Sequence, residues 1–292
     1  MRNSRVIAGI AAAALAVVGI STSAHAEKPE TLPQVASLHN PHIDLTREAS
    51  RVVSSTSSNL TYHNGPVMTS PVTVQPIYWG KSWANTAFAG DKATGLAALY
   101  SQYGGSAYAG ISAQYSQSGG AKVTTSVSNS AAIVDTASNA SSVTADVFNE
   151  VLRQVPFDKL SSNGYYPVYT DLPRGTATYC AWHSVGTATL NGVSKRIKFA
   201  FFFSLDGDPG CDPGDTRTTY SQGTEALANV SAHELAEAMT DPELNAWYDR
   251  NGNENADKCA WKFNATGVTL LSGSYAWRIQ GEWDNVTSAC KW

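Results

Sequence analysis

The sequence predicts a single α/β (α+β) domain built on a mixed sheet. Two aromatic and apolar runs, residues 165–170 and 197–204, are typical of strands. The second run is continuously apolar, as expected for a central strand buried on both faces. Apolar residues recur every three or four positions over residues 91–103 and 143–155, which predicts two helices. Strand and helix signals thus share one chain with enough apolar residues for one large core.

The N-terminus has the order of a secretory signal peptide. Arg2 and Arg5 precede an apolar run over residues 6–20, and small residues end in Ala24-His25-Ala26. This pattern predicts a cleavable signal peptide over residues 1–26 and a secreted, extracellular protein with no membrane segment after cleavage. Loss of the two arginines changes the formal charge from −4 to −6. Because no basic cluster is visible in the sequence, we expect no nucleic-acid partner.

The chain between the signal and the domain lacks apolar periodicity. Residues 27–60 are rich in Ser, Thr, Pro and charge, which predicts a disordered leader or propeptide. Whether it is removed stays open. The domain is predicted over residues 61–292 and starts with a strand in residues 67–80, whose prolines suit an edge strand with breaks. Residues 106–142 are compatible with short strands and loops.

Four cysteines are widely spaced, as in disulfide-bonded exported proteins. Cys180 with Cys211 and Cys259 with Cys290 are the preferred pairs because each closes a local loop. A zinc site made of all four cysteines is the alternative, but no close C-x2-C pair is present.

The segment HELAE carries the strongest chemical signal. It lies in a helix predicted over residues 224–239, where positions four apart share one face. His233 and Glu237 can therefore bind one divalent ion, and Glu234 can reach a water on that ion as a general base. The same arrangement occurs on the H-E-x-x-H helix of metallopeptidases, with Glu237 here in place of the second histidine. It predicts a zincin-like fold. The alternative is a solvated acidic face with a surface histidine.

A third ligand is predicted downstream of this helix. Glu254 follows His233 by twenty-one residues, a separation like that of the glutamate ligand in thermolysin-like enzymes. Asp257, three residues further, is predicted to orient a ligand or the main chain. Oxygen donors also alternate over residues 249–257, so a calcium site stays open as an alternative or addition to zinc, although the EF-hand register fails.

His183 is a further candidate for the site. It lies near Cys180 and is predicted to be held rigidly, as a ligand or as a donor to a developing oxyanion. The alternative is a buried histidine bonded to the main chain. His25, His39 and His42 fall in the signal or leader, and no site is predicted for them. No G-x-S-x-G elbow, P-loop or dinucleotide glycine pattern is present.

Three blocks of the chain resemble the phosphate-induced protein 1 family, whose plant members are called EXORDIUM and EXORDIUM-like. The blocks are YHNGPVMTSPVTVQPIYWGKSW, TYCAWHS and SAHELAEAMTDPELNAWYDRNGNENADKC, over residues 62–83, 178–184 and 231–259. The resemblance implies an extracellular, wall-associated protein without an accepted enzymatic activity. The spacer within the third block is shorter here than in the plant pattern.

Two functional hypotheses follow. The first is a secreted zinc metallopeptidase that acts on a peptide or protein substrate. The second is a non-catalytic EXORDIUM-like protein that uses zinc or calcium for structure and binds an extracellular polymer or partner. An open metal position would favour the first, and a closed shell of protein ligands would favour the second.

Overall fold

The computed structural model describes residues 32–51, 58–217, 219–270 and 275–292. The predicted signal peptide, residues 1–26, lies outside them. The described strands are β1 Gln34–Leu38, β2 His42–Leu45, β3 Thr61–Tyr62, β4 Val72–Val74, β5 Ile77–Trp79, β6 Val127–Asn129, β7 Ile133–Asp135, β8 Gly164–Pro173, β9 Tyr179–Leu190, β10 Val193–Ser204, β11 Trp247–Tyr248, β12 Val268–Thr269, β13 Ala276–Trp277, β14 Glu282–Asp284 and β15 Ala289–Lys291. The α-helices are α1 Arg47–Ser50, α2 Thr86–Ala89, α3 Lys92–Tyr103, α4 Ala107–Ser112, α5 Thr144–Gln154 and α6 Gln222–Thr240.

The main sheet is mixed, as predicted. Strand β10 pairs in parallel with β8, which in turn pairs in parallel with β4 and β5. Strands β6 and β7 continue this parallel part beside β4 and β5. Strand β9 runs antiparallel to β10, and also to β1 and β2 on its other side. The continuously apolar run predicted as a central strand is β10, which is buried from Ile197 to Phe203.

Two details of the predicted strands need correction. The strand predicted over residues 67–80 has the expected break, between β4 and β5 around Gln75-Pro76, because proline has no backbone N–H for a ladder hydrogen bond. It does not lie at the edge, since β4 pairs with both β6 and β8. Strand β9 was not predicted, and its mixture of Thr, Ala, Ser and Gly explains why its pattern is weak.

The prediction of a disordered leader is wrong for the described part of residues 27–60. Strands β1 and β2 pair antiparallel with β9, with Val35 opposite Ala188 and His42 opposite His183. Strand β1 is largely exposed, so it carries no apolar periodicity that a sequence could reveal. It is ordered because the long β9 offers a free row of backbone groups to pair with. Removal of this segment as a propeptide stays a prediction.

Helix α6 is the central helix of the domain. Its side chains are buried from Gly223 to Thr240, because it packs between the sheet and α3. The Ser221 side chain caps its N-terminus by accepting a hydrogen bond from the Thr224 N–H. At its C-terminus, Asp241 Oδ1 accepts hydrogen bonds from the Asn245 and Ala246 N–H groups. The polar residues of HELAE are therefore in the interior, which contradicts the interpretation as a solvated acidic face.

Both predicted disulfides are confirmed. Cys180 bonds to Cys211, and Cys259 bonds to Cys290. All four thiols are oxidised, so a four-cysteine zinc site is excluded. Two disulfides are consistent with an extracellular protein. Among the helices of the described residues, none has the length and apolar character to cross a membrane.

Candidate metal centre

Eight titratable side chains converge where the middle of α6 meets β9 and β2. Helix α6 contributes three of them, and the others come from β9, from β2 and from the chain after β11. They are His233, Glu234 and Glu237, then His183, His42 and Asp44, and finally Glu254 and Asp257. Six of the eight are at most 2% exposed, and the exceptions are His42 and Asp257. The predicted site residues are thus brought together, with two further residues from the leader.

Glu237 lies at the centre of the group. Its Oε1 lies 3.1 Å from His233 Nε2, the neighbour one helical turn earlier, and accepts a hydrogen bond from the Asp257 N–H. Its Oε2 lies 3.6 Å from His183 Nδ1 and 4.0 Å from His42 Nε2. That second oxygen is buried and has no hydrogen-bond partner among the described residues. One oxygen of Glu237 is therefore used to hold the site together, and the other is available to a ligand.

His183 faces the helix from the neighbouring strand. Its Nδ1 lies 3.0 Å from Glu234 Oε2, and its Nε2 lies 3.7 Å from Glu254 Oε1. The Nε2 atom has no hydrogen-bond partner in the part of the chain that the structure describes. His183 therefore bonds to a carboxylate and not to the main chain, which was the alternative prediction. A histidine with one nitrogen on a carboxylate and the other free is typical of a metal ligand.

The loop with Glu254 and Asp257 is held tightly under the helix. Asp257 Oδ2 accepts a hydrogen bond from the Glu254 N–H, and the short 3-10 turn Asp257–Cys259 ends at the second disulfide. Asn255 accepts a hydrogen bond from the Trp283 N–H. Glu254 keeps one oxygen, Oε2, without a partner among the described residues. Asp257 thus bonds to the Glu237 carboxylate and the Glu254 backbone, and its orienting role stays a prediction.

His42 belongs to the cluster, although no site was predicted for it. Its Nε2 lies 2.7 Å from Asp257 Oδ2, and its Nδ1 lies 3.5 Å from Glu254 Oε1. Asp44 is on the same face of β2, and its Oδ1 lies 3.8 Å from His233 Nδ1. The strand-like alternation of His42 and Asp44 was the only local signal for this face. It was missed because the surrounding leader reads as disordered.

Among the described residues, two groups of three have ligand atoms that all lie within 4.8 Å of one another. They are His42, Glu237 and Asp257, and His183, Glu237 and Glu254. The second group contains two of the three predicted ligands, Glu237 and Glu254. Neither group includes His233, whose Nε2 instead contacts Glu237 and lies 3.7 Å from Asp257 Oδ1.

Burial sets the electrostatics of these groups. It raises the pKa of Glu234 and Glu254 well above the ordinary value and lowers the pKa of His183 well below it. His42 has its pKa raised to about 9, because the Asp257 and Glu237 carboxylates outweigh the effect of burial. The same balance with His42 lowers the pKa of Asp257 to about 2. His183 is therefore neutral, the form in which a histidine binds a metal.

Two separations between donor atoms are close to those expected around a tetrahedral ion. Ligands about 2.0–2.2 Å from zinc are separated from one another by about 3.4 Å. His42 Nδ1 and His183 Nε2 lie 3.5 Å and 3.7 Å from Glu254 Oε1, which is long for a hydrogen bond but close to that separation. A metal would also satisfy His183 Nε2 and the second oxygens of Glu237 and Glu254, which are buried without a partner among the described residues.

The alternate oxygen donors predicted for calcium are used differently. Asp249 accepts hydrogen bonds from the Asn251 and Asn253 N–H groups and pairs with Lys258 Nζ at 3.3 Å. Asn255 points toward Glu282 instead. Asp249 and Asn253 thus stabilise the loop itself, and a calcium site stays a prediction.

Comparison of the chain with models of known families, with curated proteins and with solved structures found no match. The chemistry of the cluster is therefore inferred from its own geometry.

Proposed function

We propose that the protein is an exported zinc-dependent hydrolase that cleaves peptides. The observation that carries the proposal is the convergence of His183, Glu237 and Glu254, whose free ligand atoms are buried and unpartnered among the described residues. Nitrogen among the donors favours zinc, because calcium takes oxygen ligands.

In this proposal, Glu237 and Glu254 bind zinc together with a histidine. His183 supplies that histidine in the geometry described above, while His233 packs against Glu237 as the alternative. Bound zinc would lower the pKa of a water and polarise the scissile carbonyl. The fixed carboxylates would position the ion, and the cavities that reach His42, Glu254 and Asp257 would admit water and substrate.

Glu234 is the proposed general base. Its Oε2 bonds to His183, which fixes the side chain, and its Oε1 is buried without a partner among the described residues. That free oxygen can accept a proton from a nucleophilic water and return it to the leaving amine. Burial raises the pKa of Glu234, which makes it a better base once ionised.

A zincin-like fold is part of the proposal. It is supported by a mixed sheet with one antiparallel strand, β9, beside the buried helix that carries HELAE. Membership of the phosphate-induced protein 1 family is also a proposal, supported by the resemblance of the three sequence blocks.

The test uses the zinc-loaded mature protein and a library of fluorogenic peptides. We expect Glu234→Gln to keep its zinc and to lose cleavage by about 10²–10⁴-fold, because only the proton acceptor is removed. Glu243→Gln is the matched control, since Glu243 pairs with Arg196 outside the cluster. Cleavage that survives in Glu234→Gln would contradict the assigned base.

A non-catalytic metal protein is the second candidate, and His42 favours it. His42 lies close enough to Glu254 and Glu237 to complete a shell with His183, which would leave no position for water. We expect His42→Ala to open that position. A protein that binds zinc but cleaves no peptide, either with His42 or with alanine there, would support the structural function and reject the hydrolase.

A further inference from the structure

A cavity beside the cluster is strongly basic. It measures about 580 Å³, within the range of ligand clefts. Five cationic side chains line it, although the whole chain has a formal charge of −4. They are Arg47, Arg51, Lys258, Lys262 and Arg278. We call this cavity the basic groove.

Three of these cations contact backbone oxygens. Arg47 donates to the Asp212 carbonyl, Arg278 Nε to the Pro213 carbonyl at 2.8 Å, and Lys262 Nζ to the Lys258 carbonyl at 3.0 Å. None of the three forms an ion pair with a carboxylate among the described residues. Their charge is therefore available to an anionic ligand.

The basic groove adjoins the candidate metal centre. Asp257, which contacts His42 and Glu237, lines the groove, as does Leu45 at the end of β2. A smaller cavity of about 210 Å³ adjoins the start of β2 and is lined by His42 and Glu254. A molecule bound in the groove would therefore reach the side chains proposed to bind the metal.

We propose that the basic groove binds an acidic segment of the peptide substrate through its carboxylates. The inference depends on the proposed function for the identity of the substrate as a peptide. Guanidinium groups cover aromatic rings here: Arg47 lies 5.1 Å from the Trp261 ring centre and Arg278 lies 5.0 Å from that of Phe263. These rings hold the arginines in place and are not open platforms for a sugar, which favours peptide over acidic polysaccharide.

The experiment measures binding of fluorescein-labelled hexaglutamate to the full mature chain by anisotropy, with a chelator present and with zinc. Lys262→Gln/Arg278→Gln removes two groove charges. Lys122→Gln/Lys159→Gln removes two exposed charges elsewhere and is the control. We expect about tenfold weaker binding in the groove variant, no change in the control, and weaker binding at high salt.

Equal binding by the two double variants would overturn the proposal. It would also fail if hexalysine bound as well as hexaglutamate, or if an oligogalacturonate bound and hexaglutamate did not. Lys262→Gln alone replaces the double variant if that does not fold, because Lys262 Nζ contacts only a backbone carbonyl.

Failure of this inference is distinguishable from failure of the proposed function. Binding in the presence of chelator depends on the groove and not on the metal. Groove-dependent binding without any peptide cleavage would leave the groove intact and reject the hydrolase. Cleavage by the zinc form, with equal hexaglutamate binding in both variants, would reject the groove alone.

Discussion

Two buried carboxylate clusters lie close together in this protein, and they differ in how their oxygens are satisfied. Glu282 accepts hydrogen bonds from the Tyr103 and Ser112 hydroxyls and from the Asn255 side chain. Glu237 and Glu254, in the candidate metal centre, each keep a buried oxygen without a partner among the described residues. Asn255 belongs to the first cluster, and Glu254, the residue before it, belongs to the second.

The cluster around Glu282 is complete, because its hydrogen bonds are made within the protein. The cluster around Glu237 and Glu254 is incomplete, because buried oxygens lack partners among the described residues. A buried carboxylate with three donors is balanced by the protein alone. Buried carboxylates and neutral histidine nitrogens without partners leave a large desolvation cost, which a bound cation would offset. The comparison predicts that metal stabilises the incomplete cluster, and that loss of a hydrogen bond affects the Glu282 cluster without affecting the metal.

Removal of metal should have the largest effect. A ligand at about a thousand times its Kd stabilises the folded state by about 4 kcal/mol, so chelation should lower the melting temperature by about 10 °C. Differential scanning fluorimetry with EDTA, and then with excess zinc, measures this change. An identical melting curve in both conditions would show that the incomplete cluster needs no cation.

Glu282 should contribute to the pH dependence of stability. Burial raises its pKa from 4.5 to about 7. Between these values the unfolded chain loses its proton and the folded chain keeps it, so the stabilisation by Glu282 falls as pH rises through this window. The full change corresponds to about 3 kcal/mol.

The neutral variant Glu282→Gln isolates this effect. We expect its stability relative to the wild type to increase between pH 5 and pH 8, since glutamine does not ionise. Urea unfolding at several pH values, with chelator present, measures the difference. A difference independent of pH would contradict the assigned pKa.

Substitution of Glu237, the central carboxylate, should weaken zinc binding, whereas the same substitution of Glu282 should not. Glu237→Gln should reduce zinc affinity by more than about 100-fold, because loss of an orienting group alone costs about 10–100-fold. Glu282→Gln is the matched substitution and should bind zinc like the wild type. Competition with a chromophoric chelator measures both affinities, and similar losses in the two variants would remove the distinction.

Loss of one donor to Glu282 should have the smallest effect. Ser112 Oγ donates to Glu282 Oε2 at 2.6 Å. Above pH 7, where Glu282 is ionised, Ser112→Ala should destabilise the protein by about 2 kcal/mol, as for other hydrogen bonds to a charged group, with zinc affinity unchanged. Urea unfolding and the chelator titration test the two parts, and weaker zinc binding would show that the clusters are coupled.

The part of the site that could be predicted is the part encoded locally. His233, Glu234 and Glu237 share a helix, and both disulfides close short loops, so periodicity and spacing reveal them. Glu254 and Asp257 were predicted from their distance after that helix.

The contribution of the leader could not be predicted. His42 reaches Asp257 only because β2 pairs with β9, and no local pattern reports a contact across that distance in sequence. The mostly exposed β1 hides the same pairing. The choice between His183 and His233 likewise depends on the register of β9 beside α6.

Zinc content is the most direct test of the central claim that the incomplete cluster binds metal. Elemental analysis of the purified mature protein after zinc loading and dialysis should give about one zinc per chain in the wild type and in Glu282→Gln, and much less in His183→Ala. No zinc in the wild type, or the same zinc content in His183→Ala, would contradict the assignment of this cluster as the metal centre.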